Sequence, residues 1–284
     1  MTRWKWLPIA GGVVAGAAAV LLGRGRETSV AERLEAALLE DAARPGDERV
    51  DFGVFAELPP PVARYLRYVL TDGQPLIWTA AFRQTGELRT GLQTESWLPF
   101  TARHLVVPSA TGFVWNARVD TLLATHIRVL DSYVAGAGGA RVSLLSVLPV
   151  ATVAGVPEMN AGALHRYLAE AVWYPTALLP GAGVVWSPID DASATATLAH
   201  AGTTVSLEFR FNDAGEATGI FTPARFGSFD GEYRQVAWEG HFRDYEERAG
   251  MRVPAYGEVG WYEEGTLGLV WKGQIIEARY EVGP

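Results

Sequence analysis

The 284-residue sequence contains no cysteine, and only two of its 24 basic residues, Lys5 and Lys272, are lysines. Without cysteine there can be no disulfide, no thiolate zinc site, no cysteine nucleophile and no acceptor for the lipid of a bacterial lipoprotein. With so few lysines, a phosphate-loop lysine or an internal Schiff-base lysine has almost nowhere to sit. Histidine is also sparse: His104, His126, His165, His200 and His241 lie far apart in the chain, and no pair has a helical or strand ligand spacing. No metal site or cofactor is therefore expected. Gly136-Ala137-Gly138-Gly139 lacks the third glycine of a dinucleotide loop, and Gly227-Ser228-Phe229-Asp230-Gly231 places its serine one position early for a nucleophile elbow. Both read as turns.

Positive charge is short in the body of the chain. The formal net charge is −8, but residues 1–26 hold Arg3, Lys5, Arg24 and Arg26 and no acid, so the remainder carries 20 bases against 32 acids, a net −12. Such a body lacks the basic stripe that nucleic acid requires and the polybasic face that anionic headgroups require. What is plentiful is apolar surface: 49% of residues are hydrophobic, ten of them tryptophan. That is ample for a packed core.

Trp6 to Gly23 is an 18-residue charge-free run rich in Ala, Gly, Val and Leu. A membrane-spanning helix takes roughly 17–25 such residues and a cleavable signal core about 7–15. The run reads best as an uncleaved anchor with Trp4 and Trp6 at the interface. A cleaved signal, using small residues such as Ala17 and Ala19, and a buried amino-terminal helix are the alternatives. Basic residues bracket the run almost equally, and the free amino group tips the start toward the cytoplasm. The expected location is the bacterial cytoplasmic membrane, a single-pass anchor holding the body outside the cytoplasm.

Ser29-Val30-Ala31-Glu32 reads as a capping box, followed by Val30, Leu34, Ala37, Leu38 and Ala42 at helical spacing until Arg44-Pro45-Gly46. A second helix is expected from the Leu58-Pro59-Pro60-Pro61 stretch to Asp72-Gly73, making 27–75 a helical lead-in that packs on the rest. From Leu76 the period changes to two. Val205, Leu207, Phe209 and Phe211 alternate with Ser206, Glu208 and Arg210, and Phe113, Trp115, Ala117 and Val119 behave alike. Turn signals at Gly138-Gly139, Ala201-Gly202, Asn212 to Gly215, Asp230-Gly231 and Glu263 to Gly265 divide roughly ten to twelve strands. An amphipathic helix at about 158–180 interrupts them, with Leu164, Tyr167, Leu168, Ala171 and Val172 on one stripe. The expected fold of 76–284 is mainly β (α+β): a large, curved antiparallel half-barrel sheet whose concave side is filled by helices, preceded by the membrane helix of 1–26.

Polar candidates are few. Glu239, His241 and Arg243 share one strand face, as do Glu208 and Arg210, and a carboxylate beside a histidine has the parts of an acid-base pair. The plainer reading of both is a solvated outer face, and of Asp190-Asp191 a turn. Tryptophan says more. Trp78, Trp97, Trp115, Trp186, Trp238, Trp261 and Trp271 fall in expected strands and Trp173 ends the inserted helix beside Tyr174. Rings spaced around a curved sheet suit either an aromatic core or a cavity for an apolar ligand.

The stretches Arg166 to Pro180, Thr204 to Asn212 and Trp238 to Tyr245 resemble a bacterial family catalogued only as a domain of unknown function, over most of residues 58–282. That likeness implies no activity. The order of helix, long antiparallel sheet and inserted helix also resembles the half-barrel of periplasmic lipoprotein-carrier proteins and related mycobacterial lipoproteins, which implies a groove for acyl chains. Here the amino-terminal segment would replace the missing lipid. The resulting expectation is a membrane-anchored protein that binds a lipid or other apolar molecule without catalysis, its wall including Trp78, Trp115, Trp173, Tyr174, Trp186 and Phe209. The alternatives are an envelope interaction module without a cavity, or an enzyme using the strand-face Glu and His.

Overall fold

The computed structural model describes residue 25 and residues 27–121 and 125–283. Among the described residues, three α-helices, α1 (27–40), α2 (Pro60–Val69) and α3 (Pro157–Glu170), accompany thirteen strands. The strands are β1 (Ile77–Leu88), β2 (Leu98–Val107), β3 (Gly112–Asp120), β4 (His126–Val134), β5 (Ala137–Leu144), β6 (Leu148–Ala154), β7 (Val184–Pro188), β8 (Ser193–His200), β9 (Thr203–Phe211), β10 (Ala217–Phe229), β11 (Glu232–Arg248), β12 (Met251–Glu263) and β13 (Thr266–Val282). All belong to one antiparallel sheet in the order β6-β5-β4-β3-β2-β1-β13-β12-β11-β10-β9-β8-β7. The chain thus starts in the middle, walks to one margin, crosses by α3 to the other margin and returns to pair β13 with β1. The sheet is one strand larger than the upper sequence estimate.

Alternation decides which side of each strand is inside. Val205, Leu207, Phe209 and Phe211 are all buried in β9, as are Phe113, Trp115, Ala117 and Val119 in β3. These residues join α2 and α3 in one continuous core on the concave side. Helix α3 packs on β9 and β10 at one end of the sheet and on β4 and β5 at the other. Two glycines permit the approach: a Cβ on Gly138 of β5 would lie 2.5 Å from the Met159 carbonyl oxygen, and one on Gly162 of α3 would lie 2.9 Å from that of Phe226.

Helix α1 departs from the expected arrangement, because it packs on the convex face. Ala31 and Leu38 meet Val107, Ala110, Val114 and Leu130 there, and Glu27 is held by Arg141 at 2.6 Å and by the Ser143 hydroxyl at 3.2 Å. The capping box does not form. Residues 27–30 are already helical, and the Ser29 hydroxyl donates back to the Gly25 carbonyl at 2.9 Å. Of the expected turns, Gly138-Gly139 lies inside β5; the chain reverses instead at Ala135-Gly136, both at positive φ (49° and 80°). Gly227 to Phe229 likewise belong to β10, with the turn at Asp230-Gly231. No helix among the described residues is long and apolar enough to cross a membrane. The expected anchor at Trp6–Gly23 lies outside the described residues.

Candidate functional site

Between the concave face of the sheet and α3 lies a cavity of about 460 Å³. Its wall carries the rings of Trp115, Trp173, Trp238, Trp261, Trp271 and Phe242, together with Leu88, Ile127, Val129, Val142, Val259 and Val270. The size and apolar lining match those of small-molecule sites. The surface has a larger depression, about 640 Å³, on the convex face beneath Arg83, Arg103, Arg118, Arg128 and Arg279. It is a more open trough, in which Ala81, Ala102, Ala117 and Ile276 lie between the arginines. Cross-strand pairing sets Arg83 opposite Arg103 and Arg118 opposite Arg128, a grouping that one-dimensional charge counting could not reveal.

The cavity wall is not wholly apolar. Asp131 from β4, Arg166 and Glu170 from α3, and Arg225 from β10 converge on it. Arg166 donates to Glu170 Oε1 and Asp131 Oδ2, both at 2.9 Å, and its guanidinium lies 4.9 Å from the centre of the Trp115 ring. Burial pushes the carboxyls of Asp131 and Glu170 up, against the pull of Arg166. Burial also pulls Arg225 down to about 10, helped by the like charge of Arg166. His104 approaches Glu170 to 3.5 Å, yet burial, with Arg166 adding, keeps it well below the usual histidine range. Trp115 donates its indole N–H to Gln84 Oε1 at 2.8 Å. An apolar cavity with a few buried polar groups is an arrangement that both attracts an apolar body and fixes its orientation.

His165 occupies the same helix and is pulled down to about 4 by burial and by the charge of Arg225. An unfolded histidine titrates near 6.5. Between pH 6.5 and 4 the unfolded chain therefore binds a proton that the folded chain refuses, and stability falls as pH falls through this window. His165→Phe is expected to remove about 2 kcal/mol of the stability lost between pH 7 and pH 4.5, measured by urea unfolding of variant and parent at both pH values. A parallel pH dependence in the two proteins would contradict it.

The sequence-derived wall residues separate into three groups. Trp115 and Trp173 line the cavity. Tyr174, Trp186 and Phe209 belong to the core outside the lining: the Tyr174 hydroxyl donates to the Tyr167 carbonyl at 2.6 Å, and Trp186 stacks edge-on against Phe209 while its N–H donates to the Leu178 carbonyl at 2.9 Å. Trp78 lies outside the lining, under the Arg44 guanidinium at 4.0 Å. Trp238, Trp261 and Trp271 line the wall as well, beyond the residues expected there; each shares the inward parity of its strand with a glycine or apolar neighbour two positions away. Trp97, expected within a strand, just precedes β2.

The two polar pairs read from the sequence form one network. His241 Nε2 lies 2.9 Å from Glu239 Oε1, Arg210 bridges Glu239 at 3.2 Å and Glu208 at 2.6 Å, and the Tyr262 hydroxyl donates to Glu239 Oε2 at 3.0 Å. Burial works to raise the Glu239 carboxyl, but the contacts from His241, Tyr262 and Arg210 outweigh it and leave the group below its usual range. The network sits on the sheet face opposite Trp238 and Phe242, and it continues from His241 Nδ1 to Glu258 Oε1 at 3.4 Å, a residue that also reaches the cavity lining. Asp190 caps its own turn, accepting from the Ala192 amide at 2.9 Å and the Ser193 hydroxyl at 2.8 Å. Among the described residues no cluster of three or more His, Asp or Glu side chains could hold a metal ion.

Residues 48–273 match the model of a family of unknown function, DUF6544. No curated protein matches the chain. Among solved structures, a LolA superfamily protein, NE2245 from Nitrosomonas europaea, is similar over 79% of this chain and 93% of its own, at 8% identity and a TM-score of 0.40. A beta-barrel-like protein of domain of unknown function DUF1849 from Brucella abortus is similar over 73% of this chain and 99% of its own, at 12% identity and a TM-score of 0.23.

Proposed function

For a chain that belongs to the DUF6544 family, whose function is unknown, we propose a membrane-anchored binding protein that holds a lipid or other apolar molecule in the concave cavity and performs no chemistry on it. The supporting observation is the cavity of about 460 Å³ walled by five indoles. Each methylene withdrawn from water into such a wall contributes about 0.8 kcal/mol. A chain of ten therefore contributes roughly 8 kcal/mol before the cost of immobilising it, about 4–15 kcal/mol in general, is subtracted. Affinity then depends on how well the cavity is already formed, and interdigitated aromatic rings favour a formed one.

Anchoring is supported by the sequence of residues 6–23 together with the way α1 begins. The chain that follows the apolar run is fastened to the convex face by Glu27 through Arg141 and Ser143, so an embedded run would hold the half-barrel close to the bilayer. The body would stand outside the cytoplasm, within reach of envelope lipids.

The test is a titration with N-phenyl-1-naphthylamine, an apolar probe that fluoresces in dry surroundings. The expected result is saturable one-to-one binding, weakened at least about tenfold by Val129→Trp, whose new ring occupies the cavity. Absence of saturable binding to the parent protein would sink the proposal. A second reading, an envelope interaction module, draws support from β6, an edge strand whose Leu148 and Val150 are 60% exposed. Cross-linking that captures a partner through β6, with no probe binding, would favour it.

A further inference from the structure

Three arginines line the cavity, Arg89, Arg166 and Arg225, and among the described residues only Arg166 has a carboxylate in contact; Arg89 lies over the Trp97 ring at 4.7 Å. Arg166 is bound by Asp131 and Glu170. Arg225 has no carboxylate within 4 Å among the described residues. It stands at the irregularity of β10 between Thr222 and Arg225, where the ladder with β11 slips. Its Nη2 donates to the Gly162 carbonyl at 2.9 Å, and its plane lies 4.5 Å from the Trp238 ring centre and 4.9 Å from that of Trp261. Its Nε–H is buried without an acceptor. A guanidinium has five N–H donors, and here one of the five is engaged.

Donors outnumber acceptors among the buried wall atoms that lack a partner: Arg89 Nε joins Arg225 Nε and two indoles, against Glu170 Oε2 alone. The indole N–H groups of Trp173 and Trp271 are buried and lack acceptors, and their rings stand 6.3 Å apart. Buried donors without partners are costly to maintain, so a site that keeps several of them is suited to a guest that brings the acceptors. The two indoles beside the guanidinium hold its plane in place. A fixed planar fork recognises two oxygens of one group better than a point charge does.

We propose that Arg225 seats the head of an anionic amphiphile, and that the cavity takes a long-chain carboxylate or a molecule of the same single-charge, single-tail design. The inference rests on reading the cavity as a ligand site and adds the identity of the ligand's polar end. Asp131 and Glu170 limit that end. One negative charge is matched by Arg225, whereas a doubly charged phosphate monoester would meet both carboxylates as repulsion.

The experiment displaces N-phenyl-1-naphthylamine from the full chain with dodecanoate, dodecanol and dodecyltrimethylammonium at pH 8. Dodecanoate is expected to compete at a concentration at least about tenfold below dodecanol, with the cation weakest, as befits a charge-assisted hydrogen bond. Arg225→Gln should abolish the tenfold preference for dodecanoate over dodecanol, and Arg225→Lys should retain part of it. Dodecanol binding reports at once whether the variant is folded. Should Arg225→Gln not fold, the order of the three compounds on the parent protein decides alone. Equal competition by all three overturns the headgroup assignment and leaves the cavity reading standing. Failure of the parent to bind the probe at all overturns both.

Discussion

Arg166→Met is expected to destabilise the half-barrel by about 3 kcal/mol, because it strands two carboxylates that were paired in the cavity wall. Arg166 spans α3 and β4: it holds Glu170 on its own helix and Asp131 on the sheet, each at 2.9 Å. The figure stands at the lower end of the range for buried pairs because the Asp131 side chain is 32% accessible through the cavity. In thermal unfolding the loss corresponds to a fall of roughly 5–10 °C in Tm. Its pH dependence carries a definite sign. Once Arg166 is gone, the stranded carboxyls rise further above their unfolded values, so the folded variant gains protons as pH falls, and its deficit shrinks from pH 8 toward pH 5. Adding Asp131→Asn and Glu170→Gln to Arg166→Met is expected to recover much of the stability, since removing a whole buried ionic network is far less costly than orphaning part of it. A single variant as stable as the parent at pH 8 would show that the network is solvated in solution.

Trp173→Ala is expected to cost about 3–5 kcal/mol. The ring is 2% exposed and packs among Phe82, Phe242 and Trp271 at centroid distances of 6.3, 6.4 and 6.3 Å, and Gly257 leaves room for it, since a Cβ there would lie 3.2 Å from the indole. Its carbonyl also accepts from the Tyr280 hydroxyl at 2.8 Å. The side chain therefore ties the segment after α3 to both central and returning strands, and little around it can collapse into the gap. Trp173→Phe is expected to lose less than half as much in chemical denaturation. Similar losses for the two variants would mean that the indole's specific shape, and not its bulk, holds this part of the core.

Much of the sheet is legible in the sequence because its strands have one buried side. β9 reads directly from Val205, Leu207, Phe209 and Phe211, and α3 from Leu164, Tyr167 and Leu168, which are buried together; the helix expected to reach about 180 ends at Glu170, and Val172 lies in the 3-10 turn that follows. The convex position of α1 was harder to read, although β3 contains a clue. Phe113, Val114 and Trp115 are consecutive and all buried, and a strand with apolar neighbours on both parities is covered on both faces. The ends of elements were less legible: the helical signal of a capping box at Ser29 is local, whereas the helix is extended through that point by its packing on the sheet.

The charged wall is illegible in the sequence for a different reason. Arg166 and Glu170 have the i,i+4 spacing of an ordinary surface pair, and nothing in the helix itself says that this face looks into a cavity. Asp131 belongs to a strand some 35 residues earlier, so only the crossing of α3 over the sheet brings it near. Arg225 falls where alternation fails, after Pro223-Ala224, at a slip in the β10–β11 ladder. Such slips re-aim side chains, and here the re-aimed side chain is a cation turned toward tryptophan.

The thirteen-stranded sheet keeps two free margins, β6 and β7. In a closed barrel the number of strands and their stagger fix the bore. Here no ladder of hydrogen bonds joins margin to margin, and the distance across the opening is set by α3, which rests on β5 at Gly138 and on β10 at Gly162. The helix is a strut, and at two of its bearing points backbone meets backbone with no side chain between. The spacing of helix and sheet thus depends on two glycines: a methyl group at either would push α3 away from the strand it touches.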